Sequence, residues 1–415
     1  MRSFVFSLVL ILSCIESIAS EPWPEFRGPR GDGHSTAKNL SLTWSESENV
    51  RWKIPIPGKA WSSPVIWGEQ IWLSNATDDG KTLSGVCVDV QSGKIIHDLT
   101  IFNIAEPQFC IPFNSYASPT PAMEAGRVYL HFGSPGTACL DTKTGAVIWT
   151  RQDLPCNHFR SAGSSPIIWK DLLILTFDGF DYQYVAALNK LTGEPVWKTE
   201  RNIDYGDAGN ADGDLRKSFS TPAVREVNGV PTLVSPSAAA TIGYDVRDGR
   251  ELWRAKTGGY NSGCRPIFFD GLVVGHTEGG MRLFAIRPDG RGDVTDTHTA
   301  WTFSKSTPTR PSPIVGGDLM FIISCEGVAS CLEAKTGKEI WQKRLEGDYS
   351  ASPLYANGRI YFFSQEGQTP VIAADREFTK LAENKLDEGF MASPAVIDDA
   401  LILRTRTHLY RIEGR

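Results

Sequence analysis

Short apolar runs separated by turn-forming residues recur along the whole chain. One unit contains the run Pro353-Leu-Tyr-Ala, the turn Asn357-Gly358 and the run Arg359-Ile-Tyr-Phe-Phe363. Apolar runs of this length, bounded by proline, glycine, asparagine or aspartate, predict short β-strands joined by tight turns. No heptad pattern and no low-complexity stretch breaks the series. The chain is therefore predicted to be all-β and to lack an internal domain boundary.

The runs belong to a repeat that is written eight times. Each copy begins with a proline after a residue that is usually small or hydroxylated, and such a proline can open a strand because its missing N–H is tolerated there. Successive prolines lie 40 to 56 residues apart. The eight prolines are Pro64, Pro119, Pro166, Pro222, Pro266, Pro313, Pro353 and Pro394.

A second signal follows most of these prolines. It consists of an acidic or amide residue, three further residues and a glycine, and it predicts a turn from a third strand into a fourth. Tryptophan stands four residues after the glycine in four of the five copies, and His97 takes its place in the first. We expect each indole to pack between neighbouring units. The turns are Asp89–Gly93, Asp141–Gly145, Asn189–Gly193, Asp245–Gly249 and Glu333–Gly337, and the indoles are Trp149, Trp197, Trp253 and Trp341.

Four short antiparallel strands in 40 to 56 residues are the period of a propeller blade. Only three strands follow Pro394, whereas an additional strand over 49–54 precedes the first copy. We expect this strand to complete the eighth blade, because a closed ring leaves no blade edge open. The predicted organisation is a signal peptide over 1–20, an irregular N-terminal strap over 21–43 and a single eight-bladed propeller over 44–415.

The units Asp141-Thr-Lys-Thr-Gly-Ala-Val-Ile-Trp149 and Glu333-Ala-Lys-Thr-Gly-Lys-Glu-Ile-Trp341 resemble the repeat of pyrroloquinoline quinone (PQQ) type propellers. Two branches of that family have different functions: quinoprotein alcohol dehydrogenases, and non-catalytic BamB-like scaffolds that assist outer-membrane β-barrel assembly. The fold alone does not choose between them. The dehydrogenases carry adjacent cysteines at the cofactor, and this chain has no such pair. The resemblance therefore favours a BamB-like binding or scaffold protein without a cofactor. A PQQ- and Ca²⁺-dependent alcohol or sugar dehydrogenase is the alternative.

Residues near the repeated prolines are expected to line one mouth of the ring. A hydroxyl residue precedes the proline in seven copies, Arg265 precedes it in the fifth, and the residue two positions earlier shares the same strand face. The hydroxyls either contact a ligand or satisfy backbone groups at the strand starts. The aromatic residues and cations around this mouth form either a pocket for an anionic or planar ligand or an extended peptide, or an ordinary solvated rim. An unpaired inward cation at Arg265 or Arg310 would be costly, which keeps the pocket as an alternative for these two residues. The candidate residues are Trp61, Tyr116, His158, Arg160, Lys217, Phe219, Tyr260, Arg265, Arg310 and Tyr349.

The acidic loop 207–214 matches a calcium-binding loop only in part. Asn210, Asp212 and Asp214 have some of the ligand spacing of an EF-hand, but the glycine is misplaced and no glutamate closes the loop. The segment Asp289–Asp293 stands where the turn of the fifth blade is expected, and we interpret it as a modified turn. The histidines show no paired ligand spacing, and no nucleophile-elbow or phosphate-loop motif is present, so no catalytic residue and no resident metal are predicted.

Charge and the first residues indicate the partners and the compartment. The chain has 415 residues and a net charge of -6, so nucleic acid is not an expected partner. A basic start and the apolar run Phe4–Leu12, too short to span a membrane, predict a secretory signal cleaved near Ala19 or Ser20. Cys14 offers a lipoprotein signal as the alternative.

We therefore expect an exported monomer, periplasmic or extracellular, which is membrane-anchored if Cys14 is lipidated. No transmembrane segment is predicted, and the expected partners are envelope or periplasmic proteins or peptides. Seven cysteines follow Cys14. Cys325 and Cys331 are interpreted either as a hairpin disulfide or as two small buried thiols.

Overall fold

The computed structural model describes residues 21–414, and the predictions of a signal peptide and a lipidated Cys14 lie outside them. The described residues form eight antiparallel blades arranged as a closed ring, which confirms the predicted eight-bladed propeller. In seven blades the four strands follow each other in chain order from the axis outward. Between residues 21 and 414 no helix has the length and apolar content that crossing a membrane requires.

Each blade is built from four short strands, and helices within residues 21–414 are confined to two connections. The strands of blades 1 to 4 are Val65–Trp67, Gln70–Ala76, Thr82–Asp89 and Ile95–Asn103; Ala122–Glu124, Arg127–His131, Thr137–Asp141 and Val147–Arg151; Ile167–Trp169, Leu172–Asp178, Gln183–Asn189 and Pro195–Glu200; and Ala223–Val227, Val230–Pro236, Thr241–Asp245 and Glu251–Ala255. Those of blades 5 to 8 are Ile267–Phe269, Leu272–His276, Leu283–Ile286 and Thr299–Phe303; Ile314–Gly316, Leu319–Ile323, Val328–Glu333 and Glu339–Arg344; Leu354–Ala356, Arg359–Tyr361, Gln368–Ala373 and Lys380–Lys385; and Ala395–Ile397, Ala400–Arg404, His408–Ile412 and Val50–Pro55. The remaining elements are the helices Gly206–Ala211 and Thr295–His298, the 3₁₀ turn Gly213–Arg216 and the two-residue strands His34–Ser35 and Gly292–Asp293.

The ring is closed by the early strand, as predicted. Val50–Pro55 pairs antiparallel with His408–Ile412 and forms the outer strand of blade 8. Its Trp52 indole donates a 2.9 Å hydrogen bond to the carbonyl of Val90 in blade 1. On the inner side the buried Arg404 guanidinium donates to the Ser62 and Ser74 carbonyls across the same junction. Closure therefore rests on pairing within blade 8 and on contacts from blade 8 to blade 1.

The hydrophobic core is divided among the interfaces between adjacent blades. The second and third strands of each blade carry most of the fully buried side chains, and the clusters they form join each blade to the next. The largest cluster joins blades 7, 8 and 1 to the N-terminal strap. Each blade buries one sheet face against each neighbour, so no blade has a sufficient core of its own.

The tryptophans of the outer strands lie between blades, as the repeat predicts. Trp149 donates its indole N–H to the carbonyl of Lys190, and Trp197 donates to that of Val246, in both cases on the next blade. These two rings cover Gly193 and Gly249, the glycines that end the next blade's turn, and both glycines have a positive φ. Trp301 of blade 5 covers the turn glycine Gly337 of blade 6 in the same way. The repeat did not indicate this indole, because no glycine stands four residues before it.

Replacing Gly193 by alanine is expected to destabilise the ring by about 2–4 kcal/mol, from left-handed backbone strain and steric conflict together. The residue has φ +74°, and a Cβ would lie 2.7 Å from the Trp149 ring. Gly271→Ala is the matched control, because Gly271 has φ +77° with no heavy atom within 4 Å of its Cβ position. That control should lose only about 1–2 kcal/mol, the backbone cost alone. Urea unfolding of both variants measures the difference, and equal losses would contradict the packing role of the indole.

Residues 21–43 cross one face of the ring. Trp23 pairs with Ile66 of blade 1 through two backbone hydrogen bonds of 2.9 and 2.7 Å. Two residues further on, Glu25 forms a 2.8 Å ion pair with Arg265 at the start of blade 5. His34–Ser35 then pairs parallel with the first strand of blade 7. The strap thus passes from blade 1 to the opposite side of the ring, across the axis.

The structure bears on two further interpretations of the sequence, the modified turn at Asp289–Asp293 and the disulfide between Cys325 and Cys331. Asp289–Asp293 departs from the repeat, because its end, Gly292–Asp293, pairs parallel with the outer strand of blade 4. Asp293 accepts a 2.6 Å hydrogen bond from Thr295 Oγ1 and pairs with Lys256, so it fixes this connection. All seven cysteines of the described chain are free thiols, and Cys325 and Cys331 are therefore not bridged.

Candidate ligand cavity

A cavity of about 660 Å³ occupies the centre of the ring. Residues from the connection before the first strand of every blade line it, and Phe26 of the strap lies against it from the far side. The strap backbone is held there by Arg265, which donates to the carbonyl of Phe26 and pairs with Glu25. Burial raises the pKa of the Glu25 carboxyl, against the opposing effect of Arg265. The strap therefore forms the floor of a cavity that opens on the other face.

Eight positions, one per blade, form a layer of the wall. They are the residues three before the proline that precedes the first strand of each blade, and side chains as different as indole, guanidinium and hydroxyl occupy them. The eight are Trp61, Ser118, Gly163, Phe219, Gly263, Arg310, Ser350 and Met391. Counting back two residues from the position before each repeated proline gives seven of these eight residues, but it gives Tyr116 in blade 2.

The difference in blade 2 comes from a second proline. The segment reads Ser118-Pro119-Thr120-Pro121, and the first strand begins at Ala122, so Pro121 is the equivalent of Pro64. The predicted register was wrong by two residues there. Tyr116 consequently lies outside the central cavity and lines a small recess beside His158.

Below this layer the hydroxyl side chains join the blades into a ring. The backbone N–H before the proline of one blade donates to the hydroxyl oxygen at the same position of the next blade, at 2.9 to 3.0 Å. The part of the chain that the structure describes contains seven such bonds, and their series is interrupted where Arg265 replaces a hydroxyl. The members are Ser63, Thr120, Ser165, Thr221, Arg265, Ser312, Ser352 and Ser393. The hydroxyls do satisfy backbone groups, but those of the neighbouring blade.

The cations near the cavity fall into two groups. Asp214 forms ion pairs with both Arg160 and the fully buried Lys217, and burial lowers the pKa of that ammonium. Arg310 instead stacks on Phe113, with its guanidinium carbon 4.6 Å from the ring centroid, and its Nε donates to Ser350 Oγ at 3.0 Å. Within the described chain Arg310 has no carboxylate within ion-pair distance.

The remaining candidates have other environments. His158 is buried and accepts the Ser134 N–H at Nε2, and burial lowers its pKa to about 4. Tyr349 is fully buried and donates to the carbonyl of Glu346. Phe219 and Tyr260 line the cavity together with Trp61. The structure therefore brings five of the ten candidates to the wall: Trp61, Arg160, Phe219, Tyr260 and Arg310.

The partial calcium motif has a structural explanation. The side chain of Asp212 accepts the Asp214 N–H at 2.9 Å and caps the turn Gly213–Arg216. Asp214 is neutralised by two cations, which opposes binding of a further one, and Asn210 lies in the preceding helix. Residues 21–414 contain no group of three histidine, cysteine, aspartate or glutamate side chains arranged to hold a metal.

Long connections supply wall residues that the repeat did not indicate. Ile111, Phe113 and Asn114 come from the connection between blades 1 and 2, and Leu215 comes from that between blades 3 and 4. The only sequence signal was the long spacing of these copies, 55 and 56 residues between successive prolines.

The wall does not fit a calcium-bound quinone. Such a group needs carboxylate or amide oxygens for Ca²⁺, cations for its own carboxylates and a free carboxylate base. The acidic residues of the wall are Asp212, Asp214 and Glu278; the first caps a turn, the second is paired with cations, and the third accepts from Asn261 at 3.3 Å. These three do not form a metal-binding group.

Comparison with known proteins places this architecture in a family. A family model described as outer membrane protein assembly factor BamB matches residues 85–294 and 245–389. The outer membrane protein assembly factor BamB of Yersinia pestis is 23% identical over 199 residues, which are 44% of this chain and 47% of that protein. The match thus spans about half the length of the curated relative.

Solved structures share the fold at low sequence identity. BamB from Moraxella catarrhalis has a TM-score of 0.64 and 13% identity, over 88% of this chain and 97% of that one. A europium-containing methanol dehydrogenase has a TM-score of 0.66 and 11% identity, over 92% and 89%. Structural likeness at this identity shows the fold alone. Because the family model covers well over half of the sequence, the chain belongs to the propeller family described as outer membrane protein assembly factor BamB.

Proposed function

We propose that this chain is an exported, non-catalytic binding and scaffolding propeller that receives a segment of a cell-envelope protein at the mouth of its central cavity. The observation that carries the proposal is the exposed aromatic surface beside a cavity whose other end is closed by the strap. The relatives named as outer membrane protein assembly factors support a partner of that compartment.

The aromatic surface consists of Phe109, Phe113, Phe159 and Phe180 on the connections around blades 2 and 3. Phe109 and Phe113 are 57% and 42% exposed. The ring of Phe159 lies 5.5 Å from that of Phe109 and 5.4 Å from that of Phe180. Exposed contiguous aromatic side chains are costly in water and are enriched where proteins bind one another.

The central cavity adjoins the aromatic surface and can receive side chains of a partner. Phe113 lies four residues after Phe109 in the same connection and also lines the cavity wall, so this connection leads from the aromatic surface to the cavity. A cavity of about 660 Å³ accommodates a few side chains of an inserted segment. The surface and the cavity together suit a partner that rests a flat apolar region on the rim and inserts a short segment.

The test compares two pairs of substitutions in the full chain. Phe109→Ala with Phe113→Ala should reduce crosslinking to envelope proteins at least tenfold, because it removes the exposed rings without opening the core. Ile95→Ala with Ile148→Ala is the control, since those side chains are 46% and 43% exposed on the outer strands of blades 1 and 2. Capture from envelope extract with a photo-crosslinker near the mouth, followed by mass spectrometry, is the measurement.

Two outcomes would reject the proposal. No envelope protein crosslinked by the unchanged chain, or equal losses in both variant pairs, would remove the mouth as the binding surface. Tight calorimetric binding of PQQ with Ca²⁺, accompanied by dye reduction with alcohols or sugars, would establish the alternative quinoprotein oxidoreductase.

A further inference from the structure

The seven hydroxyls that join neighbouring blades, called the hydroxyl ring below, have donor protons that the blades themselves do not all use. Each hydroxyl oxygen already accepts a backbone N–H from the preceding blade. A serine or threonine hydroxyl also carries one donor proton. Within the described chain six of the seven hydroxyls donate to no protein atom. One of them, Ser312, does not line the central cavity, and the other five do. They are Ser63, Thr120, Ser165, Thr221 and Ser393.

These five hydroxyls occupy consecutive blades, from blade 8 through blade 1 to blade 4. They form an arc of O–H donors around a single cavity. The backbone bonds hold their oxygens in place, because each accepts at 2.9 to 3.0 Å from a neighbouring strand start. A group with several acceptor lone pairs and no donors, such as an anion, matches an arc of fixed donors better than a neutral polar group does.

Arg310 lies on the part of the wall that the arc leaves open. It belongs to the connection before blade 6, lines the cavity, and has no carboxylate partner within the described chain. Its stacking on Phe113 and its bond to Ser350 fix the guanidinium. A cation that lines a cavity without a counter-charge favours an anionic occupant. The three wall carboxylates have partners of their own: Asp214 is paired with Arg160 and Lys217, and Asp212 and Glu278 each accept a hydrogen bond.

We propose that the inner end of the cavity is a receptor for a single anionic group, a carboxylate, phosphoryl or sulfate, held by the arc of hydroxyl donors and by Arg310. The proposal specifies the chemical class of the group that the cavity binds. It rests on the proposed function only because both use the same cavity. The aromatic rings of Trp61, Phe219 and Tyr260 would contact the apolar remainder of the ligand.

The test uses inorganic phosphate, sulfate and acetate with the full chain, by calorimetry and by chemical-shift titration. At least one of the three should bind saturably, and which one binds identifies the chemical source of the anion. Ser165→Ala and Arg310→Gln should each weaken that binding at least fivefold. Ser312→Ala is the matched control, because it removes the same kind of inter-blade bond from a hydroxyl that does not line the cavity. It should change the affinity less than twofold.

The outcomes separate this proposal from the proposed function. Absence of saturable binding for all three anions would overturn the receptor, and so would equal weakening by Ser165→Ala and Ser312→Ala. If Ser165→Ala does not fold, Arg310→Gln decides, since that side chain is partly exposed and outside the hydroxyl ring. Intact capture of envelope proteins without anion binding would reject the receptor and leave the scaffold function standing.

Discussion

Acidification from pH 7 to pH 4.5 is expected to destabilise the folded ring by several kcal/mol, because three buried histidines cannot take up protons. Burial lowers the pKa of His131 and His276 to about 3 and that of His158 to about 4. Nδ1 of His131 lies 2.8 Å from Thr137 Oγ1, whereas neither ring nitrogen of His276 has a partner within residues 21–414. All three side chains are therefore held neutral.

The sign follows from proton uptake in the two states. The unfolded chain protonates its histidines near pH 6.5, so below that pH it binds protons that the folded chain does not. Each histidine then costs about 1.4 kcal/mol per pH unit until its folded pKa is reached. At pH 4.5 the loss is about 2–3 kcal/mol per residue, and the sum of three is comparable with the whole stability of a domain. This cost is absent above pH 6.5, grows as the pH falls, and stops growing below the folded pKa of each histidine, about 4 for His158 and about 3 for His131 and His276.

His276→Leu isolates one of the three contributions. It removes unpartnered ring nitrogens from a fully buried site, so at pH 7 it should be neutral or stabilising. The fall in stability between pH 6.5 and 4.5 should shrink by about 2–3 kcal/mol. Urea unfolding across that pH range is the measurement. Superimposable pH curves for the variant and the unchanged chain would show that burial of this histidine does not govern the acid response.

The fold could be predicted from the repeat because several independent features of its sequence indicate the same structural unit. Strand-opening prolines, turn glycines and the outer-strand tryptophans each predict the same four-stranded unit, and the missing strand of blade 8 follows from counting. One layer of the cavity wall, the eight positions three before the strand-opening prolines, was predictable for the same reason. Side chains two apart on one strand share a face, so the position above each hydroxyl must face the axis. Only the doubled proline of blade 2, Pro119 and Pro121, shifted the assignment.

The rest of the site depends on contacts between residues far apart in the sequence. Phe26 reaches the cavity because the strap crosses the ring, and nothing near residue 26 in the sequence indicates that path. Phe113 and Leu215 lie in inserted connections, whose length is visible but whose conformation is not. The inward charge of Arg265 was anticipated, but its partner Glu25 lies 240 positions away. Local periodicity carries no information on such pairs.

Asp178→Ala is expected to cost about 3–5 kcal/mol of unfolding free energy, because it leaves a buried guanidinium without its counter-charge. Asp178 ends the second strand of blade 3, and Arg201 follows the fourth strand of that blade. The guanidinium donates to both carboxylate oxygens at 2.5 and 2.8 Å, and both side chains are fully buried. Ser237 donates to Asp178 at 3.1 Å and Ser235 accepts from Arg201 at 2.8 Å, so the pair joins blade 3 to blade 4.

Two further variants distinguish loss of the ion pair from loss of packing. The double substitution Asp178→Leu with Arg201→Met removes both charges, and it should cost no more than about 1–2 kcal/mol because neither desolvated ion remains. Asp153→Ala breaks a pair with Arg151 whose carboxylate is 65% exposed, and it should cost less than about 1 kcal/mol. Urea unfolding at pH 7 measures all three. If Asp178→Ala costs as little as Asp153→Ala, the two blades are held by their apolar contacts, and the buried charges contribute nothing to their junction.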